Sequence, residues 1–151
     1  LRTYLGAVTG PMRGRDGNIH RGRPREGLLA MISHLGTLVS VVAGVLLARR
    51  LKGTLEDSVG ATSIGDGGTS TGAFHEGMNL AAVEKLPLVV SVANNQFAGS
   101  IPNDRQFACE DLLLRAEGYG VRGWSVDGVD LASCLKGFRQ AVESARKGGG
   151  P

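Results

Sequence analysis

A strand–helix–strand pattern between residues 58 and 93 constrains the fold more than any other feature of this sequence. A run of small and apolar residues at 58–64 is followed by helical spacing of apolar residues over 72–85, and then by LVVSVA at 88–93. Elements alternating at these lengths predict a βαβ unit with parallel strands. Because such sheets bind ligands beyond the carboxyl ends of their strands, functional residues are expected where these two strands end.

Further elements are predicted on both sides of this unit. The outer helices are predicted at 36–51, 109–117 and 131–147, and one further strand at 121–126. The apolar residues at helical spacing are Leu38, Val41, Val42, Val45 and Leu46 in the first helix, Phe74, Met78, Ala81 and Ala82 in the second, and Leu131, Leu135, Phe138 and Val142 in the last. The chain is therefore predicted to be α/β, with a mostly parallel sheet flanked by helices.

The length of 151 residues suits one domain over 1–151, in which residues 1–33 show little periodicity and form a loop-rich first segment. No apolar run approaches the roughly 20 residues that cross a bilayer, so no membrane partner is predicted. Cys109 and Cys134 lack CxxC spacing and are expected to be thiols in a reducing compartment. We expect a cytoplasmic protein, with a removed organelle-targeting segment left open. The first residue is Leu1 rather than Met, as expected of a piece of a longer chain.

The net charge of +3 comes largely from a local basic stretch. Five arginines lie between residues 12 and 27, without interleaved aromatic residues or a nucleic-acid-binding motif. An arginine-rich loop for an anionic ligand or a partner subunit is therefore favoured over nucleic-acid binding.

Polar side chains follow each of the two central strands. Gly65-Asp66-Gly67 ends the first, and Asn94-Asn95 ends the second, which places Asp66 and Asn95 29 positions apart. Neighbouring strands lie about 4.8 Å apart, so both side chains can reach one small ion. Carboxylate and amide oxygens suit Mg²⁺ or Ca²⁺, and the following helix N-terminus suits a diphosphate. Alternatively, both dipeptides are ordinary turns.

The stretch GDGGTSTGAFHEGMNLAAVEKLPLVVSVANNQFA resembles the thiamine diphosphate motif, which begins Gly-Asp-Gly and ends Asn-Asn. Together with RGRDGNIH, SHLGTLVSVVAG, DRQFACEDL and GYGVRGWSVDGVD, it is similar to the alpha subunits of pyruvate, branched-chain 2-oxoacid and acetoin dehydrogenases. The resemblance covers the chain from about Thr9 onward and implies the thiamine diphosphate-binding fold.

This resemblance implies a site for thiamine diphosphate and Mg²⁺. Asp66 and Asn95 would bind the metal through their side chains and Phe97 through its carbonyl oxygen. Gly67 and Gly68 would contact the diphosphate through their amides.

A second group of residues is implied on the substrate side. Ser33 and Leu35 match positions that hold the aminopyrimidine, and His20 matches a catalytic histidine that faces the oxoacid. Without the resemblance, His20 reads as a surface loop histidine. His34 and His75 match no catalytic position and are interpreted as structural.

The implied function is oxidative decarboxylation of a 2-oxoacid, with acyl transfer to a lipoyl-bearing acyltransferase. The implied partner is a beta subunit in an alpha2-beta2 heterotetramer, which supplies the catalytic glutamate. We therefore expect this chain alone to be inactive. Two alternatives stay open: an acetoin dehydrogenase alpha subunit, and a non-catalytic nucleotide-binding or assembly module on the same scaffold.

The sequence departs from this family pattern at several points. Ala93 stands where Glu or Arg usually precedes Asn-Asn, Ser40 where Pro is usual, and Leu38 where some members have Gln. A Tyr-Arg element expected upstream of Leu1 and a His- and Ser-bearing loop expected after Pro151 are not assigned here. These departures bear on cofactor affinity and on monovalent-ion binding.

Overall fold

The computed structural model describes residues 1–17 and 20–151, so residues 18 and 19 of the RDGNIH motif lie outside the described residues. The chain separates into two compact units, Leu1–His34 and Leu35–Pro151. The first unit consists mostly of turns, with a short 3₁₀ helix at Pro24–Glu26. The assignment of 1–151 to a single domain stays a prediction.

The second unit carries the regular secondary structure. Its elements are α1 (Thr37–Leu51), β1 (Gly60–Gly65), α2 (Gly72–Val83), β2 (Leu88–Ala93), β3 (Phe97–Ala98), β4 (Ile101–Pro102), α3 (Leu113–Gly118) and α4 (Leu131–Arg146). The predicted positions of α1, β1, α2, β2 and α4 are confirmed to within about two residues. None of the helices in the described part of the chain has the length and apolar character needed to cross a membrane.

The central βαβ unit is confirmed. β1 and β2 pair in parallel from Gly60 opposite Leu88 to Gly65 opposite Ala93, with α2 as the crossover. β3 and β4 form a short antiparallel pair beyond the end of β2. The α/β prediction therefore holds, although the parallel sheet has only these two strands among the described residues.

The buried face of α1 differs from the predicted one. Val39, Val42, Ala43 and Leu46 are buried, whereas Val41 and Val45 are exposed. Apolar residues occur on every side of this helix, so their spacing does not select a face. Close packing selects it instead: a Cβ on Gly60 of β1 would lie 2.5 Å from Val42 Cγ1, so the absence of a side chain there lets α1 approach the sheet.

The predicted strand at 121–126 is wrong, and α3 is shorter than the predicted helix 109–117. Asp111 Oδ1 accepts from the Leu113 amide at 2.9 Å, an Asx turn that immediately precedes the helix. Residues 121–126 pair with no strand in the described chain; Val126 instead packs against Gly137 of α4. A cavity of about 500 Å³ lies between this segment and β2, so no ladder hydrogen bonds form.

The predicted apolar face of α4 is largely exposed. The helix begins as expected, with Asp130 accepting from the Ala132 and Ser133 amides. Leu131, Leu135 and Phe138, however, are exposed, and the buried residues are Gly137 and Ala145. The helix is amphipathic, but it packs through its small residues and leaves the larger apolar side chains on the surface.

Candidate functional site

Asp66 lies buried where β1 ends. Its amide donates to the Ala93 carbonyl at 3.2 Å, which extends the β1–β2 pairing by one residue. Its side chain is 1% exposed, and Oδ1 accepts from the Gly67 amide at 2.7 Å. No basic residue in the described part of the chain forms an ion pair with it. Since burying an unpaired carboxylate is unfavourable, this position is suited to a cation.

The Asn94-Asn95 turn lies at the same edge of the sheet. Asn95 Oδ1 accepts from the Phe97 amide at 3.0 Å, an Asx turn that is exposed to solvent. Gln96 completes the turn with φ of +69°. The parallel register therefore brings the predicted metal ligands Asp66, Asn95 and Phe97 to one edge, with oxygen atoms of the kind that Mg²⁺ accepts.

Asn103, which sequence reasoning missed, connects Asp66 to the turn that contains Asn94, Asn95 and Gln96. If the side-chain oxygen of Asn103 faced the Asp66 carboxylate, two hydrogen-bond acceptors would lie together. The side-chain nitrogen of Asn103 therefore faces the carboxylate. In that orientation Nδ2 donates to Asp66 Oδ2 at 2.9 Å and to the Gln96 carbonyl at 3.3 Å. No sequence signal distinguishes this asparagine from a turn residue after Pro102.

Gly67 and Gly68 are required by close packing. A Cβ on Gly67 would collide with Gln106 Oε1 and with the Ala98 Cβ, and a Cβ on Gly68 would lie 2.6 Å from Ile64 Cδ1. The Gly67 amide already donates to Asp66, so it can serve a ligand only by changing partner. These contacts explain both glycines without a ligand, and their role toward a diphosphate stays a prediction.

A short 3₁₀ helix, Gly67–Ser70, follows Asp66 and is bonded to α3. Arg115 donates to Thr69 Oγ1 at 2.8 Å and to Ser70 Oγ at 3.2 Å. Tyr119, the residue that follows α3, hydrogen-bonds to His75 Nδ1. Burial raises the pKa of Tyr119, although the Arg115 guanidinium acts to lower it. Neither Arg115 nor Tyr119 was predicted from the sequence as part of a site.

In the first unit, His20 lies in a chain of hydrogen bonds. Its Nδ1 is 3.2 Å from Asp16 Oδ2, and its Nε2 is 2.8 Å from Ser33 Oγ. Because the Asp16 carboxylate only accepts, Nδ1 donates to it, while Nε2 lies within hydrogen-bond distance of the Ser33 hydroxyl. The structure thus brings together two predicted site residues and adds Asp16, which sequence reasoning missed.

Leu35, the remaining predicted cofactor contact, belongs to the second unit and is exposed. Within the described residues, no three His, Cys, Asp or Glu side chains cluster as a metal site. A metal at the Asp66 edge would therefore depend on amide and carbonyl oxygens, as for Mg²⁺ or Ca²⁺, rather than on the nitrogen and sulfur ligands of zinc.

Comparison with known proteins identifies the family. Residues 1–151 match the family described as the dehydrogenase E1 component. The chain belongs to that family. This E1 chain is thus a member of an oxidoreductase family that is in general thiamine diphosphate-dependent, and the resemblance seen in the sequence is confirmed.

Individual relatives include several alpha subunits. The E1 chain is 38% identical over 91% of its length to the 2-oxoisovalerate dehydrogenase subunit alpha of Bacillus subtilis, of which it covers 41%. It is 44% identical over its whole length to the 3-methyl-2-oxobutanoate dehydrogenase subunit alpha of Mycobacterium tuberculosis, covering 42%. It is 35% identical to the alpha subunit of an acetoin:2,6-dichlorophenolindophenol oxidoreductase of B. subtilis, covering 45%. The chain therefore spans less than half the length of these relatives.

Proposed function

We propose that this chain is the core of the alpha subunit of a thiamine diphosphate- and magnesium-dependent 2-oxoacid dehydrogenase. One observation carries the proposal: the buried Asp66 carboxylate, which has no basic partner among the described residues, shares a sheet edge with Asn95. The family membership supports it independently. On this proposal, the second unit has the thiamine diphosphate-binding fold.

Asp66, Asn95 and the Phe97 carbonyl would hold Mg²⁺. Asp66 Oδ1 and Asn95 Oδ1 each accept one backbone hydrogen bond, and each oxygen has a second lone pair for a metal. Gly67 and Gly68 would hold the diphosphate through their amides, and Ser33 and Leu35 the aminopyrimidine.

When bound, thiamine diphosphate supplies the electron sink for loss of carbon dioxide from a 2-oxoacid. The protein's own part is to hold the cofactor and to position a proton. His20 is the proposed catalytic residue. Its Nε2 lies 2.8 Å from Ser33 Oγ, and the same atom would hold or deliver a proton at the substrate.

The proposed partners are a beta subunit, in an alpha2-beta2 heterotetramer, and a lipoyl-bearing acyltransferase that receives the acyl group. The first is supported by the relatives, which are named as alpha subunits. Cytoplasmic location is part of the same proposal.

Acetoin is a second candidate substrate, because relatives named for acetoin and for branched-chain 2-oxoacids match this chain at similar identity. Turnover of acetoin and of a panel of 2-oxoacids by the assembled enzyme would separate the two.

The test is calorimetric titration of thiamine diphosphate and Mg²⁺ into the full-length alpha subunit assembled with its beta subunit. Asp66→Asn is the matched variant, because it keeps the size and one oxygen of the side chain and removes its charge. We expect magnesium-dependent binding by the wild type and a loss of about 10- to 100-fold or more in the variant. A folded complex that binds neither ligand would favour a non-catalytic assembly module, and one that prefers a nucleotide would favour a nucleotide-binding module.

A further inference from the structure

Arg115 forms no ion pair among the residues that the structure describes, since no carboxylate there lies within ion-pair distance of its guanidinium. The guanidinium is partly buried and lies over the Phe107 ring, 4.8 Å from its centroid. An ion pair with a carboxylate therefore does not explain why the Arg115 guanidinium is held at this partly buried position.

The hydrogen bonds of Arg115 explain its position. The two terminal nitrogens of Arg115 donate to two consecutive hydroxyls, Thr69 Oγ1 at 2.8 Å and Ser70 Oγ at 3.2 Å. The planar fork of a guanidinium suits this paired arrangement, whereas a lysine ammonium offers a single point of charge. Arg115 therefore restrains the orientation of the Thr69 and Ser70 side chains, which belong to the turn formed by Asp66–Ser70.

Thr69 transmits this restraint to Asp66. The Thr69 side chain is 2% exposed, and its hydroxyl donates to the Asp66 carbonyl at 2.5 Å while accepting from Arg115. The Thr69 amide donates to the same carbonyl at 3.0 Å. A hydroxyl can donate one hydrogen bond and accept others, so the Thr69 side chain links the guanidinium of α3 to the backbone of Asp66.

We propose that Arg115 is a positioning residue for the Asp66–Ser70 turn, acting through Thr69 and Ser70. It fixes the backbone from which the Asp66 carboxylate projects, and its charge favours an anion beside that turn. The inference rests on the proposed function, because it assigns Arg115 to the same metal–diphosphate site. Residues that orient metal ligands typically change metal affinity when they are altered.

The test uses the full-length alpha subunit assembled with its beta subunit and compares Arg115→Lys with Arg122→Lys. Arg122 is a matched control, because it also lies over an aromatic ring, that of Trp124 at 5.5 Å, but has no hydrogen bond to the turn. We expect Arg115→Lys to weaken Mg²⁺ affinity at saturating thiamine diphosphate by about 10- to 100-fold. Arg122→Lys should remain within about twofold of the wild type.

Three further readouts separate positioning from general stability. At saturating Mg²⁺, kcat of Arg115→Lys should recover toward the wild-type value, since the chemical groups remain. Added methylguanidinium should partly restore Mg²⁺ affinity to Arg115→Ala. In a Thr69→Val background, Arg115→Lys should weaken Mg²⁺ affinity by a clearly smaller factor, because the link to Asp66 is already broken.

Amide hydrogen exchange without cofactor tests the restraint independently of the proposed function. Faster exchange at Thr69 and Ser70 in Arg115→Lys, but not in Arg122→Lys, would support it. Unchanged exchange together with unchanged Mg²⁺ affinity in a complex that binds Mg²⁺ would overturn the inference. If the wild type binds no Mg²⁺, the proposed function fails, and the exchange result alone decides whether Arg115 restrains the turn.

Discussion

At the scale of single residues, Asp66 and Arg115 stand out because each is at least partly buried and forms no ion pair among the described residues. They are joined indirectly, through the Thr69 hydroxyl, instead of neutralising each other. This arrangement leaves a buried negative charge for a cation and a nearby positive charge for an anion. A metal–diphosphate complex has both charges, which accords with the proposed function.

Asp16→Asn tests whether the carboxylate orients His20. The variant keeps the shape of the side chain but can present a donor to Nδ1, so the tautomer with the proton on Nε2 becomes accessible. We expect kcat of the assembled enzyme to fall by about 10-fold or more, as is typical for loss of a properly placed acid–base group. Nitrogen-15 NMR of the His20 ring should show the changed tautomer; an unchanged tautomer and rate would contradict this role.

Tyr119→Phe tests the raised pKa of the phenol. Burial raises the folded-state pKa of Tyr119 above its ordinary value of about 10. The Tyr119 phenol therefore loses its proton at a lower pH in the unfolded chain than in the folded chain. The stability that Tyr119 contributes is thus present below about pH 10 and is lost as the pH rises above that value. Urea unfolding from pH 8 to 11 should show a shallower alkaline loss of stability in the variant. Equal slopes would contradict the prediction.

At the scale of elements, the approach of α1 to α2 depends on Gly77. A Cβ there would lie 2.7 Å from Ser40 Oγ and 3.0 Å from Val39 Cγ1. The Ser40 hydroxyl also donates to the Ala73 carbonyl at 3.3 Å, so Ser40 links the two helices. Since α2 starts at the Asp66 turn, this packing also supports the candidate site.

Gly77→Ala should therefore destabilise the protein even though alanine favours helices. We expect the free energy of unfolding to fall by about 1–3 kcal/mol through overpacking. Gly44→Ala in α1 is the control, because a Cβ there meets no atom within 4 Å, and it should raise the free energy of unfolding by about 0.5–1 kcal/mol. Urea denaturation measures both; destabilisation of similar size in the two variants would count against the packing explanation.

At the scale of the whole molecule, the described chain leaves apolar side chains of α4 exposed. Leu131 is 73% exposed and Phe138 47% exposed, and both belong to the predicted apolar face of the helix. Exposed apolar residues of this size, when they cluster, favour association. The chain spans less than half the length of its relatives. This exposed apolar surface is that of the chain alone.

This surface predicts that the chain produced by itself self-associates. Phe138→Ser should lower the apparent mass in light scattering at a given concentration, because it removes apolar area from the exposed stripe of α4. Lys136→Ser, at an exposed position on the same helix, is the control and should leave the apparent mass unchanged. A monomeric wild-type chain would contradict the prediction.

Local patterns in the sequence were sufficient for the βαβ unit, because the spacing of apolar residues and the turn residues at 65–67 and 94–95 act over short distances. They also located Asp66 and Asn95 at one sheet edge, since parallel strands joined by a crossover helix end on the same side. The family followed from the same stretch of sequence.

Long-range packing was needed for the rest. Strand pairing depends on a partner, so the apolar pattern of 121–126 did not make that segment a strand. The face on which a uniformly apolar helix such as α1 packs depends on its neighbours. Asn103 contacts Asp66, and Arg115 contacts Thr69, across gaps of more than 30 positions, and no local pattern encodes these side-chain contacts.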